Sequence, residues 1–332
     1  MQPRQKTSTP SPKVGLLLPT YEGMVDGETP RWSDMLAISR RAEALGFDSL
    51  WVVDHLTIPV DQTVPGAEPM GAWECWSLLA ALAAATTHIS LGSLVTCAAF
   101  RNPALLAKMA DTVDEVSGGR LILGLGAGSL PAEFAAFGYP SDHRVDRFEE
   151  AITIIRRLLH GERVAFDGRY YRTQGAQLRP RGPRPGGPPI LVGARNHRMD
   201  RLSAQHADVW NAAWPNRAEE LAPRIAAIDA ACEEVGRDPA SLKRSAGVMV
   251  DLLGHGPSQD WLWAKLVREP RHPLTGSVDE IAAALRAYAA LGITHIQVWL
   301  DPPGLDGVEA FAPVLDLLRS GSTGSRASGP AR

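Results

Sequence analysis

An aspartate followed directly by a histidine, Asp54-His55, closes the apolar run Ser49–Val53. An imidazole titrates near neutral pH and can pass a proton to or from a substrate, and a neighbouring carboxylate can orient it. Three other stretches carry residue types suited to holding a ligand. Ser93-Leu94-Val95-Thr96 sets two hydroxyls into an apolar run and leads into Phe100-Arg101-Asn102-Pro103. Gly124-Leu125-Gly126-Ala127-Gly128-Ser129 would let a ligand approach the backbone closely, because glycine has no side chain. Gly193-Ala194-Arg195-Asn196-His197 turns from an apolar run into a helical pattern, where free N–H groups and the helix dipole favour an anion. Trp51, Trp210 and Trp299 could stack on a ring, and Asn211, Asp251 and Gln297 lie on or at the ends of apolar runs.

Each stretch also has a plainer structural reading. Asp54-His55 could be a cap or a salt-bridged pair, the glycines could serve close packing, and the tryptophans could fill core. A lone G-x-G-x-G is a weak nucleotide signal, and a dinucleotide-binding start is disfavoured because this run falls in the fourth unit of the chain rather than the first. Asp54, His55 and Asp251 could also be metal ligands, as in barrel hydrolases. However, no H-x-H pair follows the first apolar run and no separate histidine cluster exists, so no metal is expected.

The elements that must position these residues follow from hydrophobic periodicity. Val14–Leu18, Ser49–Val53, Ile89–Val95, Leu121–Leu125, Ile190–Val192, Asp208–Ala212, Ala246–Leu252 and His295–Leu300 read as strands. Most are continuously apolar, as strands covered on both faces are. Between them lie helical patterns: Met35, Ile38, Ala42 and Leu45 before Gly46; Val145 to Leu159 before Gly161; Leu221 to Val235 before Gly236; and Val278 to Leu291 before Gly292, with a capping box of Ser277 and Glu280. Strands alternating with helices imply a parallel sheet, and eight such units predict an α/β (β/α)8 TIM barrel in preference to an open doubly wound sheet. In a barrel, chemistry belongs to strand C-terminal ends and the loops after them, where the candidates above cluster.

Two stretches exceed a minimal barrel. Val164–Pro189, between strands four and five, holds strand-like pieces at Arg169–Thr173 and Ala176–Arg179. Gly254–Thr275, after strand seven, holds an apolar helix around Trp261–Val267. The ends are rich in Ser, Pro, Gly and Arg, so residues 1–13 and 320–332 read as disordered tails around a single domain at 14–319.

Composition bounds the partners. With 45% apolar and 21% charged residues, the 332-residue chain is of globular type. A net charge of −3 gives no reason to expect nucleic acid or an anionic membrane. Three scattered cysteines, none in a C-x-x-C pair, fit neither a disulfide framework nor a structural zinc site. The polar N-terminus and the lack of a long apolar run point to a cytoplasmic protein acting on a small-molecule substrate.

Taken together, Ala42–His55 (AEALGFDSLWVVDH), Leu91–Met109 (LGSLVTCAAFRNPALLAKM), Asp114–Glu133 (DEVSGGRLILGLGAGSLPAE), Val145–Leu158 (VDRFEEAITIIRRL) and Thr275–Gly292 (TGSVDEIAAALRAYAALG) resemble the luciferase-like monooxygenase superfamily, and within it the branch that uses the deazaflavin coenzyme F420. The resemblance spans Val14 to Leu318. It implies the barrel, with an insertion between strands four and five, and hydride transfer between F420 and an organic substrate. FMN-dependent monooxygenation and a non-catalytic flavin-binding role stay open as alternatives. It further implies that Asp54 and His55 lie against the ring system, with His55 the proton donor or polariser. A bulge with a non-proline cis peptide at Ser93–Leu94 would back the ring, Thr96 would reach its polar edge, and Gly126, Gly128 and Ser129 would line the cofactor. The turn Gly193–Arg198 would hold phosphate. Dimers are common in that family, which points to a homodimer. One departure stands out: the branch's sugar-phosphate dehydrogenases carry a catalytic glutamate where this chain has Ser129, with Glu133 nearby as a substitute. That argues against their activity and leaves the substrate open.

Overall fold

The eight apolar runs form eight parallel strands that close on themselves. The computed structural model describes residues 11–58, 68–215, 217–252, 254 and 272–320. The strands are β1 Lys13–Leu17, β2 Ser49–Val52, β3 Ser90–Ser93, β4 Leu121–Gly126, β5 Ile190–Gly193, β6 Val209–Ala212, β7 Lys243–Asp251 and β8 His295–Asp301. Each pairs in parallel with its sequence neighbour, and β8 returns to β1 with Val14 opposite Ile296. The fold is therefore the TIM barrel that the periodicity predicts. The helices are α1 Trp32–Leu45, α2 Cys75–Ala85, α3 Pro103–Val116, α4 Pro131–Ala136, α5 Arg144–Leu159, α6 His197–His206, α7 Ala222–Glu234, α8 Val278–Ala290 and α9 Leu305–Ser320. Gly46 ends α1 in the left-handed conformation, and the Ser277/Glu280 capping box starts α8.

Continuous apolarity in the strands reflects two cores. Leu50 and Val52 point outward into the layer shared with Ile38, Ala42 and Leu79, whereas Trp51 and Val53 point into the barrel with Leu17, Leu191 and Trp299. Trp51 plugs the barrel below its mouth. A Cβ at Gly15 would lie 2.3 Å from its Nε1, and one at Gly92 would lie 2.3 Å from its Cζ3, so only glycine on both neighbouring strands admits the indole. Its N–H donates to Ser49 Oγ (2.7 Å), and Ser49 Oγ lies 2.7 Å from His295 Nε2. Trp51 and its neighbours thus fill the lower barrel.

The insertion before β5 is an antiparallel hairpin of Val164–Asp167 with Arg172–Ala176. The strand pieces expected at Arg169–Thr173 and Ala176–Arg179 are thus displaced. The Glu150 carboxylate on α5 accepts the N–H groups of Arg169, Tyr170 and Tyr171 at 2.8–2.9 Å, which makes those three residues the turn. The helix expected at Trp261–Val267 lies outside the described residues, as do residues 1–10 and 321–332 of the expected tails. At the start of the described chain, Ser11 Oγ donates to the Leu318 carbonyl (2.5 Å) and β1 begins at Lys13. None of the described helices is long and apolar enough to cross a membrane.

Candidate active site

Strand three breaks where the sequence places its two hydroxyls. β3 pairs with β2 through Ser93, and the Leu94 N–H still donates to the Val52 carbonyl (2.8 Å). The chain then turns through a cis peptide between Leu94 and Val95 and rejoins β4, with Thr96 opposite Leu125 and Cys97 opposite Gly126. One extra residue is accommodated on this side relative to β4, so the segment is a bulge. The cis bond therefore falls one position later than Ser93–Leu94, because ladder pairing to β2 holds the chain regular through the Leu94 N–H.

The glycine run has a packing role that accounts for much of it. A Cβ at Gly124 would meet the Ser93 carbonyl oxygen at 1.9 Å, and one at Gly126 would meet Val95 Cγ2 at 2.7 Å. Ser93 Oγ donates to the Gly124 carbonyl (2.8 Å) and accepts the Gly124 N–H (3.1 Å). At Gly128 the obstacles would be Phe134 and Cys97. Gly124 and Gly126 thus make room for this chain's own bulge and Gly128 for Phe134 of α4 and Cys97, while Ser129 is exposed at the end of the run.

Asp54 and His55 leave β2 in different directions. Asp54 is buried, and its carboxylate accepts two hydrogen bonds from the Arg101 guanidinium (2.7 and 3.0 Å) and one from the Cys97 N–H (3.0 Å). Arg101 also donates to Glu74 (2.5 Å), the N-cap of α2. Burial pushes the Asp54 carboxyl upward, while Arg101 and the Cys97 N–H pull it back. For Arg101, burial is outweighed by Asp54 and Glu74, which hold the guanidinium firmly in its charged form.

His55 is half-buried, with Nδ1 3.1 Å from Glu133 Oε2. Glu133 stands in the first turn of α4 and is 1% exposed. Its other oxygen accepts the N–H groups of Leu56 (2.5 Å) and Thr57 (3.3 Å). Tyr21, which follows β1, lies 6.4 Å from the His55 ring centroid and stacks on Trp299 at 6.3 Å; Trp214 meets Trp299 edge-on at 5.7 Å. Burial, reinforced by Glu133, Cys75 and Asp54, raises the Tyr21 hydroxyl far above its usual range and keeps it a neutral phenol. Burial likewise pushes the Cys97 thiol up to about 12, so it is no ready nucleophile.

Other candidates are drawn into the framework. Trp51 is the barrel plug. Trp210 is fully buried, its N–H donating to Asp200 (2.9 Å) with the Arg224 guanidinium over its ring, so it is core and not a stacking platform. Asn211 donates to Ser245 (2.9 Å) and Gln297 (3.1 Å) inside the barrel, and Asp251 accepts the Gly254 N–H (2.8 Å). Asp54, His55 and Asp251 do not converge, and among the described residues no group of three or more His, Cys, Asp or Glu side chains could hold a metal ion. At the end of β5, Asn196 caps α6 by accepting the Met199 N–H (3.0 Å), and Arg195, Asn196 and His197 are exposed. Ala194 is buried, and its carbonyl accepts from Arg224.

Among the described residues, two buried polar atoms near the mouth have no hydrogen-bond partner: Thr96 Oγ1 and Thr20 Oγ1. An orphaned hydroxyl at the polar end of a barrel is the kind of group a ligand satisfies. Tyr21, Thr20 and Trp214 escaped the sequence reading, although Thr20-Tyr21 lies in the loop after the first strand and could have been found by applying the strand-end rule there.

Comparison with known proteins agrees with this architecture. The sequence pattern of the luciferase-like monooxygenase family matches residues 13–252. An F420-dependent hydroxymycolic acid dehydrogenase of Mycobacterium tuberculosis is 34% identical over 250 residues, covering 72% of this chain and 64% of that protein. The chain thus spans less than two thirds of that relative's length. Among solved structures, an F420-dependent secondary alcohol dehydrogenase in complex with an F420-acetone adduct superposes with a TM-score of 0.75 at 20% identity, covering 93% of this chain and 99% of that one. A riboflavin lyase with modified FMN and riboflavin does so with a TM-score of 0.77 at 16% identity, covering 96% and 94%. At those identities the structural likenesses speak for the fold, while the family pattern and the closer sequence relative speak for descent. The chain belongs to the luciferase-like monooxygenase family.

Proposed function

We propose that this protein is an oxidoreductase that moves a hydride between coenzyme F420 and a small organic substrate, with His55 exchanging the accompanying proton. The observation that carries this reading is the buried, unpartnered Thr96 hydroxyl in the strand-three bulge, next to Cys97, whose N–H is bound to Asp54 beside His55. The sequence relative named for F420 use supports the choice of deazaflavin over FMN.

In this reading, the Ser93–Val95 bulge backs the ring and Thr96 takes its polar edge. Ser129 borders it, and Gly193, Ala194, Arg195, Asn196 and His197 hold phosphate at the start of α6, where the Asn196 cap takes the Met199 N–H and leaves those of His197 and Arg198 without an intrahelical partner. The bound deazaflavin would supply or accept the hydride at carbon. The chain's own part is electrostatic and geometric. Trp51 closes the barrel below, Tyr21, Trp214 and Trp299 give an aromatic wall, and the His55 imidazole stands at the rim with its ring partly accessible. Asp54 acts one step back, by fixing Arg101 and the Cys97 backbone.

Equilibrium titration of the purified protein with F420 and, separately, with FMN tests the assignment. F420 binding in the micromolar range or tighter, followed by hydride transfer, is the expected result. Micromolar FMN binding without detectable F420 binding would overturn it in favour of a monooxygenase. Retained F420 with no hydride transfer to any carbonyl or alcohol would instead support a binding role.

A further inference from the structure

The carboxyl group of Glu133 receives three contacts. Leu56 and Thr57 donate their N–H groups to Oε1, at 2.5 and 3.3 Å, and His55 Nδ1 stands 3.1 Å from Oε2. Leu56 and Thr57 immediately follow His55, so one side chain grips both the imidazole and the backbone that carries it. A carboxylate can only accept hydrogen bonds. With two backbone donors already on one oxygen, the arrangement is complete when His55 Nδ1 supplies the third hydrogen. The Glu133 side chain is 2% exposed and that of His55 is 28% exposed. Since Nδ1 is turned inward, the accessible part of the ring is its Nε2 side.

We propose that Glu133 is a positioning residue: it locks neutral His55 in the Nδ1–H tautomer and leaves Nε2 as the atom that exchanges a proton with the substrate's oxygen. The role assigned to Nε2 rests on the hydride-transfer reading above; the tautomer rests on geometry alone. For reduction of a carbonyl, a bound reduced deazaflavin would supply the hydride for the new C–H bond, and the carbonyl π pair would move to oxygen. That oxygen takes the proton from Nε2 of the His55 imidazolium. The products are the alcohol, oxidised deazaflavin and neutral Nδ1–H His55, and the reverse direction balances in the same way. Throughout, the hydrogen stays on Nδ1, donated to Glu133, so the imidazole need not rotate between accepting and releasing its proton.

This assigns Glu133 a different task from a free acid standing in for Ser129. Its oxygens are committed inward, and it would act through His55.

The tautomer can be read without cofactor or substrate. Nitrogen-15 labelling of the nine histidines, followed by long-range proton–nitrogen correlation at a pH where the imidazoles are neutral, separates Nδ1–H from Nε2–H rings; loss of one spin system in His55→Gln identifies His55. The expected wild-type result is Nδ1–H. In Glu133→Gln the amide oxygen can keep the Leu56 and Thr57 N–H groups, which turns the amide NH2 toward Nδ1; the imidazole must then accept there and carry its hydrogen on Nε2. Nε2–H in the wild type, or an unchanged tautomer in Glu133→Gln, overturns the proposal. Should Glu133→Gln fail to fold, the wild-type spectrum alone decides. In turnover, Glu133→Gln is expected to lower kcat by roughly 10²–10⁴-fold with little change in KM, and Glu133→Asp to recover part of the loss. Failure of F420 to bind would sink the functional reading and leave the spectra untouched, whereas Nε2–H with intact F420 binding would sink the positioning role alone.

Discussion

Arg101 spans both oxygens of Asp54, at 2.7 and 3.0 Å, in a pair whose side chains are 11% and 1% exposed. The aspartate expected at the ring's edge is therefore engaged by the protein itself, joining the end of β2 to the loop after the strand-three bulge. Breaking a buried pair from one side costs about 3–5 kcal/mol, because the remaining charge is left uncompensated. Asp54→Ala should fall toward the lower end of that range, since Arg101 retains Glu74. Denaturant unfolding measures it. A variant as stable as wild type that has lost F420 affinity would mean that Asp54 acts on the cofactor directly.

His55 separates from Asp54 in the opposite sense. Its half-buried ring fills little core but partners Glu133 Oε2, so His55→Ala should still fold, at a cost of about 1–3 kcal/mol for the acceptor left short of a donor, and keep most of its F420 affinity. Its turnover should drop by roughly 10²–10⁴-fold, the usual yield of a positioned proton donor. Near-normal turnover across the pH profile would remove His55 from the chemistry.

Thr96 offers a test free of folding damage. Its buried hydroxyl has no hydrogen-bond partner among the described residues, so Thr96→Val should hold or raise stability by up to about 1 kcal/mol. The same change should weaken F420 binding by about two- to tenfold, the value of one ordinary hydrogen bond. Unchanged binding, measured by the same titration, would detach Thr96 from the ring.

Gly92 is tied to the barrel plug. In Gly92→Ala the new methyl would sit 2.3 Å from Trp51 Cζ3, and retreat of the indole is opposed by its hydrogen bond to Ser49 (2.7 Å) on the other side. Overpacking of this kind costs about 1–3 kcal/mol. A lowered Tm is expected, and wild-type melting would show that the plug can shift.

His295, beneath the plug, governs an acid-side loss of stability. Burial, assisted by Lys13, lowers its pKa from 6.5 to about 3. Between those values the unfolded chain holds a proton that the folded chain excludes, so stability falls as pH drops from 6.5 toward 3 and the contribution is fully present above 6.5. His295→Gln can still accept from Ser49 but has no proton to take up. Its unfolding free energy should decline less steeply over that window, and parallel slopes would contradict the assignment.

The barrel was legible in the sequence because its cause is local and repeated. Most strands are apolar runs covered on both faces, and the helices carry their own stripes and end signals, as at the Gly46 stop and the Ser277/Glu280 start. The strand-end rule also brought Asp54, His55 and Thr96 to the C-terminal end of the barrel. What these residues face was decided by tertiary structure. Nothing within Ala42–His55 tells that Arg101, from the next βα unit, will take the aspartate while Glu133, from the unit after that, takes the histidine. Likewise, the insertion's turn is set by Glu150 on α5 and not by its own strand propensities. Periodicity records which face of an element meets apolar neighbours, and that is a property of the element alone. The partner of a polar side chain depends on how several units close around a common axis, and a buried carboxylate binds whichever donors that closure brings within reach.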